Sequence, residues 1–295
     1  MENYPLWTAV VTPMNEDSNI DYDSFENVLR KQEEAGIGIV VLGSTGEGLN
    51  LNAEEKKKVV LFAKSLSLTV PLMAGVGGFL LDTQIEFIHF CDEVGVDALL
   101  LVAPMYAKPG VNGQIKWFEQ LFEETKTPCM IYNVPSRTGI KMDPAVPAHL
   151  FKKYPHYMGL KEASGSVKEF KAFGDAAPGA KLYCGDDSLI QEFVAAGAVG
   201  HVSVAANAWP KITMKYLQLN LEGKTDLLYK NWVADADKFF DAPSPIPVKT
   251  LMQHKGWITN NEVRSPLSLD DLKSETEEAL LDADINVNAW LASLK

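Results

Sequence analysis

Cysteine is scarce in this chain. Three occur in 295 residues, Cys91, Cys129 and Cys184, each in or beside an apolar stretch, and no Cys-x-x-Cys pair is present. An odd set without pairs argues against a disulfide framework and predicts buried, reduced thiols in a cytoplasmic protein. Histidine is nearly as sparse. His89, His149, His156, His201 and His254 show no His-x-His or His-Glu-x-x-His spacing, so no metal site is expected. Positive charge is in deficit, with 27 Lys and Arg against 39 Asp and Glu and a net charge of −12. That balance disfavours nucleic acid and anionic membrane as partners, because both require a basic face. No apolar run approaches the ~18 residues of a spanning helix. Met1-Glu2-Asn3-Tyr4-Pro5 has no charged region followed by an apolar one, and Ala292-Ser293-Leu294-Lys295 matches no retention or peroxisomal signal. Also missing are a Gly-x-Ser-x-Gly elbow, a Walker A sequence and a full Gly-x-Gly-x-x-Gly turn, which Gly75-Val76-Gly77-Gly78 matches only in part.

What the chain does contain is a regular alternation. With 46% apolar and 22% charged residues it has the composition of a packed core rather than of a disordered segment. Apolar runs at 7–11, 38–42, 71–75, 98–102, 128–132, 157–161, 181–184 and 198–204 read as strands recurring at the pitch of a βα unit. Amphipathic stretches between them read as helices, among them 22–35 behind Asp21, 52–65, and 82–94 with Ile85, Ile88, Phe90 and Cys91 largely on one side. Strands that are apolar throughout belong to a parallel sheet covered on both faces. Eight of them predict an α/β fold, a closed (β/α)8 TIM barrel, with an open doubly wound sheet as the alternative. After about Trp209 the strands cease. Segments 210–221, 226–240 and 270–294 read as helices, and Pro243-Ser244-Pro245-Ile246-Pro247 as a helix interruption. The expected organisation is a catalytic barrel over 1–222 and a helical C-terminal appendix over 223–295.

In such a barrel, chemistry gathers at the C-terminal ends of the strands. The second strand is followed by Gly43-Ser44-Thr45-Gly46-Glu47-Gly48, whose backbone N–H groups and two hydroxyls suit a carboxylate or phosphate. A plain βα turn explains the same glycines equally well. Strand four ends at Pro104-Met105-Tyr106 and strand five at Tyr132, and a tyrosine at a strand end is more often core or rim than catalyst. Arg137, between Pro135 and Gly139, offers a planar fork suited to bidentate grip of a carboxylate. Strand six ends in Lys161. Most strand-end lysines are solvated. A buried one loses the water that favours the ammonium, and a neutral amine is a nucleophile toward carbonyl carbon.

Four ordered motifs now stand together: Gly-Ser-Thr-Gly-Glu at 43–47, Tyr-Asn-Val-Pro-Ser-Arg-Thr-Gly at 132–139, Gly-Leu-Lys-Glu-Ala-Ser-Gly at 159–165 and Gly-Asp-Asp at 185–187. They resemble the pyruvate-dependent class I aldolases of the dihydrodipicolinate synthase and N-acetylneuraminate lyase group. The resemblance spans nearly the whole chain, from Trp7-Thr8-Ala9-Val10-Val11-Thr12-Pro13 to Pro245-Ile246-Pro247-Val248-Lys249. It implies Lys161 as the imine-forming amine and Tyr132 as the acid/base. Ser44 and Tyr106 are implied as the relay of that tyrosine, with Tyr106 lent by a neighbouring subunit. Thr45 with the loop amides, and the backbone of Val202, are implied to hold pyruvate. Arg137 is similar to the arginine that grips the carboxylate of L-aspartate-4-semialdehyde in the synthases. The implied reaction condenses that aldehyde with pyruvate to 4-hydroxy-tetrahydrodipicolinate, for lysine and diaminopimelate synthesis. No cofactor is implied, and the implied assembly is a homo-oligomer, a tetramer built as a dimer of dimers. Two alternatives stay open. One is a sibling aldolase, an N-acetylneuraminate or 2-keto-3-deoxy sugar acid lyase, whose polyol substrate needs neutral groups where Arg137 stands. The other is a barrel that binds a small carboxylate without turnover, which has no use for an imine-forming amine.

The chain also departs from the group's pattern. Ser44 replaces a threonine, so the hydroxyl lacks the β-methyl that restricts its rotamer. Met105 stands where a tyrosine often precedes the relay tyrosine. Where feedback-inhibited members hold lysine with polar side chains, this sequence has Ala53, Lys56, Phe79, Thr83 and Met105. Thr83 offers no carboxylate and Phe79 no amide, which predicts insensitivity to lysine. Ser265, in Arg264-Ser265-Pro266-Leu267, replaces a usual apolar residue and should affect packing more than chemistry.

Overall fold

The computed structural model describes residues 4–294; residues 1–3 and 295, on which the reading of the two termini partly rests, lie outside the described residues. Eight parallel strands, β1 (Leu6–Ala9), β2 (Gly38–Val41), β3 (Leu72–Val76), β4 (Ala98–Val102), β5 (Cys129–Asn133), β6 (Tyr157–Glu162), β7 (Leu182–Cys184) and β8 (Gly200–Ser203), follow one another around a closed barrel. Closure comes from β1, which pairs with β2 on one side and β8 on the other. The architecture is thus the expected TIM barrel and not the open sheet.

Helices α1 (Tyr22–Glu34), α2 (Ala53–Ser65), α3 (Leu81–Val94), α4 (Val111–Glu123), α5 (Pro135–Thr138), α6 (Ala145–Lys153), α7 (Val167–Ala176), α8 (Ile190–Ala195) and α9 (Pro210–Leu221) alternate with the strands. Asn52 is the cap of α2 and not its first turn: its side chain accepts from the Glu55 N–H while the Glu55 carboxylate accepts from the Asn52 N–H. Outside the strands, one continuous apolar layer joins them to the helices. Inside, Trp7, Met73, Leu100, Met130 and Tyr183 help to fill the bore. Glycine makes room for the largest of these. A β-carbon on Gly38 would stand 2.6 Å from the Trp7 ring, and one on Gly200 2.7 Å from the Tyr183 ring. Cys91, Cys129 and Cys184 are all buried and unpaired, and burial pushes the Cys91 thiol up to about 12. No helix among the described residues is long and apolar enough to cross a membrane.

One irregularity decides what faces the bore of the barrel. Cys129 pairs with Tyr157, but the next β5 residue, Met130, pairs with Gly159, so Met158 is an extra residue in β6. A bulge exchanges the faces of every residue beyond it. Tyr157 packs into the outer layer. Strict alternation from there would turn Lys161 outward as well. With the bulge, Leu160 joins the outer layer and Lys161 turns to the bore, where its Nζ lies over the ring of the inward-facing Tyr132.

After α9 the chain differs from expectation in two places. The helix expected at 226–240 is reduced to α10 (Trp232–Asp237), flanked by single 3-10 turns at Thr225–Leu227 and Lys238–Phe240. The interruption expected at 243–247 is shorter: Pro243, Ser244 and Pro245 lie between the turn at Lys238–Phe240 and α11 (Ile246–His254), which already includes Pro247 and is followed by α12 (Ser274–Ser293). Pro247 is accommodated because it falls in the first turn, where the N–H it lacks has no intrahelical acceptor. From α11 the wholly buried Lys249 donates to Glu47 Oε1 at 2.5 Å and to the Glu262 carbonyl at 2.7 Å. Desolvation holds Lys249 below the usual lysine range although Glu47 opposes it. The Arg264 N–H donates to Glu47 Oε2 at 2.9 Å, and its guanidinium forks onto Glu55 at 2.7 and 2.9 Å. Glu47 therefore ties the loop after β2 to α11 and to the segment that follows it.

Candidate active site

Lys161 is 4% exposed, and on the ladder it stands beside Tyr132 of β5 and Tyr183 of β7. Its Nζ lies 4.3 Å from the centre of the Tyr132 ring. Among the described residues the amine has no hydrogen-bond or ion-pair partner, which leaves it free for chemistry. The adjacent Glu162 faces the opposite way. It accepts from Asn133 Nδ2 at 2.6 Å and from the Ser164 N–H at 2.9 Å, while burial raises its carboxyl above the ordinary range. Asp186, just after β7, is raised by desolvation, an effect that the positive charge of Lys161 opposes.

The loop at 43–48 is held in an unusual shape. Leu42 and Glu47 have φ of 60° and 52°, and a β-carbon on Gly48 would come within 2.1 Å of the Leu42 carbonyl oxygen. Only glycine fits there. Thr12 Oγ1 donates to the Gly46 carbonyl at 2.7 Å, so the loop is pinned from the segment after β1 as well as by Glu47. A cavity opens beside it, lined by Ser44, Lys56, Met105, Tyr132, Arg137 and Thr138, among others. Arg137 lies in α5, which Pro135 starts and Gly139 ends in the left-handed conformation. Its guanidinium has no partner among the described residues and is exposed. One wall of this cavity therefore offers a hydroxyl, a phenol and an unpaired guanidinium.

The structure gathers some of the expected residues and not others. Ser44, Tyr132 and Arg137 share the cavity, and Lys161 adjoins it through Tyr132. Thr45 is buried beside Ser44 and Val202 is buried in the bore opposite Trp7, but neither lines the cavity. Tyr106 does not line it either, although its N–H donates to the carbonyl of Thr138, which does. It is 83% exposed, with φ of 68°, and its ring meets only the edge of Phe79 among aromatic neighbours. Ala53, Lys56 and Thr83 line a second cavity, which shares Lys56, Gly75 and Gly77 with the first. Several organising residues have no role assigned from the sequence: Tyr183 beside the amine, Lys249 and Arg264 behind the loop, and Asp187 behind β8 with His201 of that strand. Lys249 carried the same signal as Lys161, a lysine within an apolar run.

The chain matches the Dihydrodipicolinate synthetase family over residues 4–283. A relative named 4-hydroxy-tetrahydrodipicolinate synthase, from Francisella tularensis subsp. novicida (strain U112), is 43% identical over 99% of this chain and 98% of its own length. The solved 4-hydroxy-tetrahydrodipicolinate synthase of the thermoacidophilic methanotroph Methylacidiphilum fumariolicum SolV has a TM-score of 0.92 at 31% identity, covering 99% of this chain and 98% of that one. The DHDPS of Cyanidioschyzon merolae, solved with lysine bound, has a TM-score of 0.90 at 28% identity over 97% and 99% of the two chains.

Proposed function

The chain belongs to the Dihydrodipicolinate synthetase family, and on that premise we propose that it condenses pyruvate with L-aspartate-4-semialdehyde through a Schiff base on Lys161. The product is 4-hydroxy-tetrahydrodipicolinate, and the activity is that of a lyase in lysine and diaminopimelate synthesis. What carries the reading is an amine buried at the C-terminal end of a barrel strand, over a tyrosine ring and without a counter-ion bonded to it. Lys161 Nζ adds to the keto carbon of pyruvate, and loss of water gives the imine. The cationic nitrogen draws electrons from the methyl carbon, whose proton leaves to form an enamine. That carbon attacks the aldehyde, whose oxygen gains a proton. The substrate's own amine then adds to the imine carbon, which closes the ring and releases Lys161.

Each of these steps moves a proton, and Tyr132 serves as the acid/base with Ser44 next in the relay. Pyruvate is held by Thr45 with the loop amides and by the Val202 backbone, and Arg137 takes the carboxylate of the aldehyde. Tyr106 completes the relay from a neighbouring subunit. Its exposure, alongside exposed Phe79 and Leu80, is the mark of a surface that another subunit covers. We read the assembly as a tetramer of two dimers and the compartment as the cytoplasm, where three buried, unpaired thiols stay reduced. The test is to incubate the protein with pyruvate, reduce with borohydride and map the mass adduct. An adduct on Lys161, and ring product once the semialdehyde is added, are expected. No adduct, or one on another lysine, refutes the mechanism.

Lysine should not inhibit this enzyme. What supports this is the pair of departures at Thr83, which offers no carboxylate, and Phe79, which offers no amide. The second cavity sets the amines of Lys56 and Lys57 beside its one carboxylate, Glu86. Turnover is expected to be unchanged at millimolar L-lysine, and a strong fall would refute this.

A further inference from the structure

The ladder between β7 and β8 holds only two pairs, Tyr183 with Gly200 and Cys184 with His201. Val202 and Ser203 therefore have no strand beside them on that side. The wholly buried carboxylate of Asp187 takes the strand's place. Its Oδ1 accepts from Ser203 Oγ at 2.5 Å and lies 2.8 Å from His201 Nε2. Its Oδ2 accepts from the N–H groups of Val204 at 2.9 Å and Ala205 at 3.1 Å. His201 Nδ1 meets the Cys184 carbonyl at 2.9 Å, so both ring nitrogens face acceptors and the ring serves both only as a twofold donor. Ser203 Oγ in turn accepts from the Ala206 N–H, and Trp232 Nε1 donates to the Asp187 carbonyl.

The consequence falls on the residue in the middle. His201 and Ser203 are the two chain neighbours of Val202, and one carboxylate grips both while Val202 itself packs in the bore. A residue held from both flanks has little freedom to turn its own backbone groups. We propose that Asp187 and His201 are positioning residues that fix the Val202 peptide for the keto acid, so that pyruvate affinity depends on them while the reactivity of Lys161 does not. This rests on the reading that the Val202 backbone holds pyruvate.

His201→Val removes both ring bonds, whereas His201→Gln restores a donor toward Asp187. The measurement is the pyruvate concentration that gives half-maximal borohydride adduct on Lys161, followed by KM and kcat with the semialdehyde saturating. His201→Val should raise that concentration and the pyruvate KM about tenfold while kcat changes by less than about threefold, and His201→Gln should recover most of the loss. A folded His201→Val protein with parental pyruvate affinity overturns the proposal, as does a loss confined to kcat. Should that variant fail to fold, Ser203→Ala removes one donor to the same carboxylate, and unchanged pyruvate affinity there also overturns it. Absence of an adduct in the parent protein refutes the Schiff-base reading itself. A normal parent adduct with unaltered variants refutes only the positioning role.

Discussion

Lys161→Ala is expected to leave a folded protein without measurable condensation, kcat/KM falling by about 10⁴-fold or more, and with no pyruvate adduct after borohydride. The size of the loss follows from the role of the amine. No imine forms without it, and the electron sink that makes the methyl proton removable vanishes with it. Another lysine, Lys56, lines the adjacent cavity, so rescue by a second amine is a real question that the adduct map answers directly. Folding should survive, because no hydrogen bond or ion pair among the described residues is lost with the Lys161 side chain. Circular dichroism matching the parent, together with retained activity above about one per cent, would contradict the assignment.

Tyr132→Phe removes one oxygen and nothing else. The ring stays over Lys161, so any loss reports the hydroxyl. Proton transfer by a positioned group contributes about 10²–10⁴-fold, and kcat should fall within that range while pyruvate KM changes little. The adduct on Lys161 should still form, but slowly, since imine formation keeps its nucleophile and loses its proton carrier. A fall of less than about threefold would show that Tyr132 is wall and not relay. Its paired outcome with Lys161→Ala is informative: one variant forms no adduct, the other forms it late.

Much of this was legible in the residues alone, for physical reasons. Parallel strands covered on both faces are apolar throughout, so each of the eight appeared as a short run, and the βα pitch implied the closed barrel. The C-terminal part was read less well. Prolines at 243–247 mark a helix break, but the break ends at Pro245, because a first turn accepts Pro247 and α11 starts at Ile246. The cavity shared by Ser44, Tyr132 and Arg137 was foreseen because strand ends converge at one mouth. The resemblance implies that Tyr106 is borrowed by a neighbouring subunit; in the single chain it is exposed and does not line that cavity, although its N–H donates to the Thr138 carbonyl at the cavity wall.

The sequence by itself determined the inventory: a lysine after an apolar run, tyrosines and an arginine at neighbouring strand ends, a glycine-bound hydroxyl loop, and a charge balance hostile to nucleic acid. Composition and period are local properties, and they can be read locally. Only the tertiary structure decided where these groups point. The bulge at Met158 turns Lys161 into the bore, and its register is defined only against β5. Glu47 meets Lys249 across 202 positions of chain, and Asp187 braces β8 from the end of β7. Contacts of that range exist only once the barrel has closed, because closure is what brings distant strands, and the desolvated charges between them, within hydrogen-bonding distance.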